Sequence, residues 1–229
     1  MQVSIVTIHP QFVTQYLTFG CLKSAQMQNL VRTEVLDLRS FAVDRHGSVD
    51  DRPYGGGDGM VLRPEPLQRA VEAVGPADAI ILPSPRGERW NASLAKKWST
   101  FTGKMVLICG RFAGVDERFV NRYVDYEYSL GDFIVSGGEL PALMMLESIA
   151  RFIPGVLGNA MSASRDSFEK SMGGGLEYPL YTRPKVFAGL EVPKVLLSGD
   201  QKKITDWRSD AARKMTGKKR PDLQKSSSR

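Results

Sequence analysis

The feature that most constrains this chain is a repeated switch of hydrophobic period over residues 1–153. Short apolar runs of strand type occur at "VSIVTI" (3–8), "RTEVLDL" (32–38), "DAIILPSP" (78–85), "MVLICG" (105–110) and the start of "YEYSLGDFIVSGGELP" (126–141). Between them lie stretches of helical period: 11–17, 22–30, "EPLQRAVEAV" (65–74) and "DERFVNRYV" (116–124), then "PALMMLESIARFI" (141–153), opened by Pro141 and stopped by Pro154. Strands that alternate with helices predict an α/β fold with a mainly parallel sheet.

Two regions break that pattern. Residues 39–60, with "DRHGSVDDRPYGGGDGM", carry almost no apolar periodicity. A loop of about twenty residues inside a compact domain is uncommon and is usually functional or disordered. After Gly155 the texture changes: 158–175 is small, polar and glycine-rich, and 178–199 is proline-rich and irregular. A last helix is predicted at 200–215, with Asp200 as N-cap and Ile204, Trp207 and Ala211 on one face, before a disordered tail at 224–229. There is no internal repeat. The expected organisation is an α/β domain over 1–157, a flexible linker over 158–176 and a small helical domain over 177–229.

Charge is distributed unevenly. Net charge is +6, yet residues 201–229 hold ten Lys or Arg against three Asp or Glu, which leaves the first 200 residues near −1. A cationic appendage on a near-neutral body suggests a polyanionic partner, most often nucleic acid; a solvated helix and tail is the plainer reading. No run approaches the roughly 18 apolar residues of a membrane span, so no membrane association is expected. The start "MQVSIVTIHP" has no basic region or small-residue cleavage site, so no signal peptide is expected. Cys21 and Cys109 make no disulfide framework, and reduced thiols in the cytoplasm are the simple expectation. His9 and His46 are too few for a familiar His/Cys zinc cage.

In open α/β sheets, ligands sit outside the carboxyl ends of the strands. Here "LPSPRG" (82–87), "CGRFAG" (109–114) and "SLGDFIVSGGELP" (129–141) end strands in glycine-rich turns. Together they could wrap a small ligand in main-chain hydrogen bonds. Familiar signatures fail, however: "GGGDGM" has Met60 where G-x-G-x-x-G needs its last glycine, and there is no P-loop or G-x-S-x-G elbow.

The segments "VDDRPYGGGDGM", "CGRFAGVDER", "SLGDFIVSGGELPA", "RFIPGVLG" and "YPLYTRP" occur in this order. In these motifs the chain closely resembles the bacterial tRNA (guanine-N1)-methyltransferases of the TrmD type, in the SPOUT class, over residues 1–223. The resemblance implies a deep trefoil knot in the α/β domain, where periodicity alone would draw an unknotted, Rossmann-like sheet. It further implies a bent S-adenosylmethionine (the methyl donor) held in the knot, a homodimer with shared active sites, and tRNA as substrate. The implied reaction is methylation of N1 of guanosine 37 when a guanosine precedes it. The donor pocket implied by the resemblance comprises Leu82, Pro83, Ser84, Pro85, Gly110, Leu130, Gly131, Asp132, Phe133, Ile134, Val135, Gly137 and Gly138.

Guanine N1 carries a proton and is a poor nucleophile, so a base must remove the proton as the methyl arrives, and a cation at O6 would stabilise the developing charge. Asp166 in "SRDSF" resembles the family's general base, and Arg151 in "ARFIPG" the arginine at O6. His46, Asp50, Arg52 and Tyr54 resemble residues that meet the target guanosine or its neighbour. Tyr181, Thr182, Arg183, Lys218, Lys219 and Arg220 resemble tRNA contacts. Ala113 departs from the pattern: the family usually has glutamate there, associated with the magnesium dependence of methyl transfer. Three explanations compete: a metal held by Asp166, water and substrate; another acid, with Asp116, Glu117 or Glu139 nearest in sequence; or impaired catalysis. The alternative functions are a non-catalytic tRNA-binding relative and a SPOUT methyltransferase acting at another RNA site.

Overall fold

The computed structural model describes residues 1–158 and 166–225, the side chain of Lys225 excepted. Much of the expected linker (159–165) and the end of the tail (226–229) lie outside the described residues. The chain divides into two compact units that part at Gly158.

The first unit runs in the order β1 (Gln2–Thr7), α1 (Pro10–Tyr16), α2 (Gly20–Met27), β2 (Arg32–Asp37), β3 (Asp50–Asp51), β4 (Val61–Leu62) and α3 (Pro64–Val74). It continues with β5 (Ala79–Arg89), α4 (Ala92–Ser99), β6 (Lys104–Ile108), α5 (Glu117–Tyr123), β7 (Tyr126–Ser129) and α6 (Glu139–Phe152). Five strands form a parallel sheet in the order β2-β1-β6-β5-β7. The predicted α/β class and parallel sheet are therefore present.

Side chains alternate across a strand, so each strand feeds both faces of the sheet. Val3, Ile5, Ile81, Met105 and Leu107 pack with Val13, Leu22, Trp98, Leu143 and Leu146 from α1, α2, α4 and α6. Val6, Ile80, Leu82, Val106 and Ile108 pack on the opposite face against Leu67, Ala70 and Val71 of α3 and Phe119 of α5. Both faces are covered, which is why these strands read as continuous apolar runs.

Several boundaries differ from the sequence reading. Strand β5 does not stop at Pro85 but continues to Arg89, with a register shift between Pro83 and Glu88 against β7. Helix α4 was not foreseen: only Leu94, Ala95 and Trp98 supply its apolar face, and Asn91 starts it by accepting from the Leu94 N–H at 3.0 Å. Helix α6 begins at Glu139, before Pro141. Proline in the first turn lacks only an N–H that the helix would leave unpaired. The segment 39–60 contains β3 and the loop that joins it to β4 in an antiparallel hairpin, with buried Val49 bonding the Arg63 N–H through its carbonyl at 2.8 Å.

In the second unit the irregular stretch contains a hairpin, β8 (Val186–Phe187) and β9 (Leu190–Glu191). Then come α7 (Gln201–Lys219) and the short α8 (Asp222–Lys225). Asp200 caps α7 as expected, accepting from the Lys203 N–H at 3.1 Å. The buried residues of α7 are Ile204, Ala212 and Thr216, with Trp207 and Ala211 half-buried. Thr216 Oγ1 accepts from the Leu176 N–H at 2.9 Å and donates to the Ala212 carbonyl at 2.8 Å. That polar anchor was not part of the apolar pattern. No helix among the described residues is long and apolar enough to cross a membrane.

Leu107 is 1% exposed on the central strand β6, touching both neighbouring strands. Leu107→Ala is expected to cost about 2–5 kcal/mol of stability through the cavity it leaves. Urea denaturation of the two proteins checks this.

Candidate functional site

A cavity of about 470 Å³ opens at the carboxyl ends of β5, β6 and β7. Its size suits a cofactor or small ligand. Leu82, Pro83, Ser84 and Pro85 enter it from β5, and Gly110 from the turn after β6. Leu130, Gly131, Phe133, Ile134, Val135, Gly137 and Gly138 close it from the segment between β7 and α6. The structure thus brings together twelve of the thirteen sequence-predicted pocket residues around one space. Asp132 is the exception: its side chain is 92% exposed and pairs with Arg89 at 3.4 Å.

Close backbone contact builds the cavity. The Gly138 N–H donates to the Gly110 carbonyl at 2.7 Å, and Arg111 and Gly137 form an antiparallel bridge. A Cβ on Gly138 would lie 2.8 Å from the Gly110 nitrogen and 2.9 Å from Cys109 Cα, so only glycine permits this approach. Phe112 holds φ 59° and Gly114 φ 129°, which turns the chain sharply after β6. The Ala113 N–H donates to the Met60 carbonyl at 2.8 Å, and the Leu62 N–H to the Gly114 carbonyl at 2.9 Å. The glycine-rich hairpin of 52–60 is thereby fastened to the cavity wall, with Ala113 at the joint. Arg86, Arg111, Phe112 and Pro141, inside the three strand-end segments but not among the pocket residues singled out there, also line the space, as does Glu117 beyond them. Their proximity depends on the order of strands, which no local pattern carries.

The three acids nearest Ala113 in sequence have different surroundings. Asp116 caps α5 and accepts from Arg118 through its backbone N–H, Nε and Nη2 at 2.8–2.9 Å. Those bonds, Arg118's guanidinium first, hold its carboxyl below the ordinary value of 3.8. Glu139 is 4% exposed and accepts from Thr7 Oγ1 at 2.9 Å. Glu117 faces the cavity but is paired with Arg86 Nη2 at 2.7 Å. Among the described residues, no group of three His, Cys, Asp or Glu is placed to hold a metal ion. Magnesium prefers carboxylate and water oxygens, so one arginine-paired carboxylate at the cavity is a poor fit for a resident ion. Cys109 is buried, and burial pushes its thiol well above the ordinary range, which makes it a packing residue.

The remaining predicted residues are distributed over both units. Arg151 occupies the last turn of α6 in the first unit, and Asp166 is a half-buried residue of the second. Asp50 begins the hairpin, half-buried; His46 and Arg52 are exposed, and Tyr54 stands 98% exposed at its tip. Tyr181, Thr182 and Arg183 line a second cavity of about 440 Å³, within the second unit, with Trp207 and Arg208. There Tyr181 and Trp207 rings lie 6.2 Å apart, and Arg208 stacks over Tyr178 at 4.8 Å. Lys218 and Lys219 are exposed at the end of α7, while Arg220 is paired with Asp222 at 2.7 Å.

The family model for tRNA (Guanine-1)-methyltransferase TrmD matches residues 1–226. The chain is similar to a tRNA (guanine-N(1)-)-methyltransferase of Anaeromyxobacter sp. (strain K), 45% identical over 97% of this chain and 90% of the relative. It is 44% identical to that of Geobacter sulfurreducens, over 97% of this chain and 91% of the relative. It is also 44% identical to that of Microcystis aeruginosa, over 97% and 96%.

Gly138→Ala is expected to destabilise the first unit by about 1–3 kcal/mol, because the added methyl presses on backbone rather than on a flexible side chain; chemical denaturation reads this. Asp116 gives a pH prediction. Its carboxyl is depressed, so the stability it contributes is fully present above the ordinary value of 3.8 and is lost as pH falls through the depressed one. Asp116→Asn is expected to flatten the acid limb of a stability–pH curve in that range.

Proposed function

The chain belongs to the TrmD family of tRNA (guanine-1)-methyltransferases, and from that premise we propose that it methylates N1 of guanosine 37 in tRNA when guanosine precedes it. The observation that carries this reading is the cavity at the ends of β5, β6 and β7, a space of cofactor size walled by main chain and apolar side chains. We assign it to S-adenosylmethionine. Leu82, Phe133, Ile134 and Val135 supply an apolar slot for adenine, and main chain along the cavity wall supplies hydrogen bonds. When bound, the donor supplies an activated methyl on a sulfonium.

The chain's own residues do the rest. Asp166 takes the proton from guanine N1 as the new N–C bond forms. Arg151 stabilises the charge that spreads to O6. His46 before the hairpin, and Asp50, Arg52 and Tyr54 on it, give edge hydrogen bonds and a stacking surface to the flipped guanosine or its neighbour. The attachment of this hairpin at Ala113 supports its placement beside the donor. In the second unit, Tyr181, Thr182 and Arg183, with the Lys218, Lys219 and Arg220 cluster, meet tRNA. Aromatic rings beside cations there suit stacked bases and phosphates. The proposed domain division at 157, 158–176 and 177–229 follows the same logic, as does a cytoplasmic setting, where the substrate is.

Family membership is the support for a trefoil knot in the first unit, where 137–138 pass against 109–111. Leu140 and Met144, one turn apart on α6, are exposed apolar side chains that support homodimerisation. Methyl transfer is proposed to respond to magnesium weakly or in altered form, since Ala113 leaves no free carboxylate at that wall. Equal magnesium dependence in the natural chain and Ala113→Glu would refute this.

Single-turnover methyl transfer to an unmodified transcript with guanosines at 36 and 37 tests the function. Product at N1 of guanosine 37 is expected, and Asp166→Asn is expected to slow it by about 10²–10⁴. Binding of both ligands without methylation would favour the non-catalytic relative, and product elsewhere the SPOUT methyltransferase of another RNA site.

A further inference from the structure

Glu139 is a buried carboxylate that the reaction itself does not use. It is 4% exposed, at the first position of α6, yet its two oxygens reach two other elements. Oε1 accepts from Thr7 Oγ1 at the end of β1, 2.9 Å away and 132 residues earlier in sequence. Oε2 lies 3.6 Å from Arg111 Nη1, in the turn after β6. Thr7 is fully buried and its Oγ1 in turn accepts from the His9 N–H at 2.9 Å, so its hydroxyl is committed on both sides.

The space for this arrangement is made by Gly137. A Cβ there would collide with the Glu139 carboxylate and meet Arg111 Cδ at 2.9 Å. Gly137 and Arg111 also share a backbone bridge, and Gly138 bonds Gly110. Thus the ion pair and the backbone bonds cross the same seam. On one side of it is the wall that contains Gly110 and Arg111; on the other is the wall from Phe133 to Gly138.

We propose that Glu139 is a positioning residue: its carboxylate, shared between Thr7 and Arg111, clasps the two walls of the donor cavity and sets their separation. The proposal rests on the reading that this cavity takes S-adenosylmethionine. Breaking a buried pair by removing one charge is costly because the partner is left uncompensated. Glu139→Gln is the chosen variant, since it keeps the volume and an acceptor for Thr7 and removes only the charge that faces Arg111.

The test has a ligand-free arm and a donor arm, both on the full chain. In the ligand-free arm, amide exchange across 133–138 is compared between the natural chain and E139Q; faster exchange, by about tenfold, is expected at the Gly138 amide. In the donor arm, calorimetric titration with S-adenosylmethionine is expected to give about tenfold weaker binding to E139Q, with tRNA affinity unchanged. The donor KM should rise while the tRNA KM does not. Arg111→Met is expected to weaken the donor similarly, and the double variant to be no worse than either single, because both remove the same clasp.

Natural exchange at Gly138 in folded E139Q overturns the clasp. Faster exchange with unaltered donor affinity overturns the positioning role, as does strict additivity of E139Q and R111M. If E139Q does not fold, the double variant E139Q/R111M, which leaves neither charge of the pair uncompensated, carries the same two arms. A natural chain that takes up no S-adenosylmethionine overturns the reading of the cavity and with it the donor role, while the exchange arm still decides the clasp.

Discussion

The hydrogen bond from the Gly138 N–H to the Gly110 carbonyl, at 2.7 Å, is the constraint on which the site depends. It joins the entry to α6 to the end of β6 at a separation that admits no Cβ. From there the main chain on both sides is directed around one cavity, and side chains such as Leu82 and Phe133 fill in its apolar lining. A site made this way is rigid where backbone meets backbone. Its chemistry can then be supplied by residues on segments outside the sheet.

The parallel sheet explains why the cavity lies where it does. Each crossover returns the chain to the same end, so the register shift within β5 and the turns after β6 and β7 share one edge. The hairpin of 52–60 reaches that edge through its bonds to Ala113 and Gly114. Ala113 therefore has a structural task that needs only its backbone. The side chain is free to differ without disturbing the turn.

Some of the site was legible as glycine-rich strand ends, because a positive φ or a close approach demands glycine and glycine is visible in a sequence. Asp132 shows the limit of that logic. It sits between Gly131 and Phe133, both on the cavity, but its side chain turns outward to Arg89. Helix α4 was hidden because three apolar residues and an Asn cap sufficed once Trp98 could pack against Tyr128. Ala211 and Ala212 are indistinguishable by type, and only the packing shows that Ala212 is the more deeply buried.

The order of strands and helices, the two-sided burial of the sheet, the glycine turns and the family were set by the sequence itself, because period, turn chemistry and motif are local properties of a chain. The strand order β2-β1-β6-β5-β7, the merging of three turns into one cavity, and the meeting of Thr7, Arg111 and Glu139 were decided only in the tertiary structure. Those contacts join residues far apart along the chain. They exist because packing both faces of the sheet leaves one compact arrangement in which their buried polar groups are satisfied.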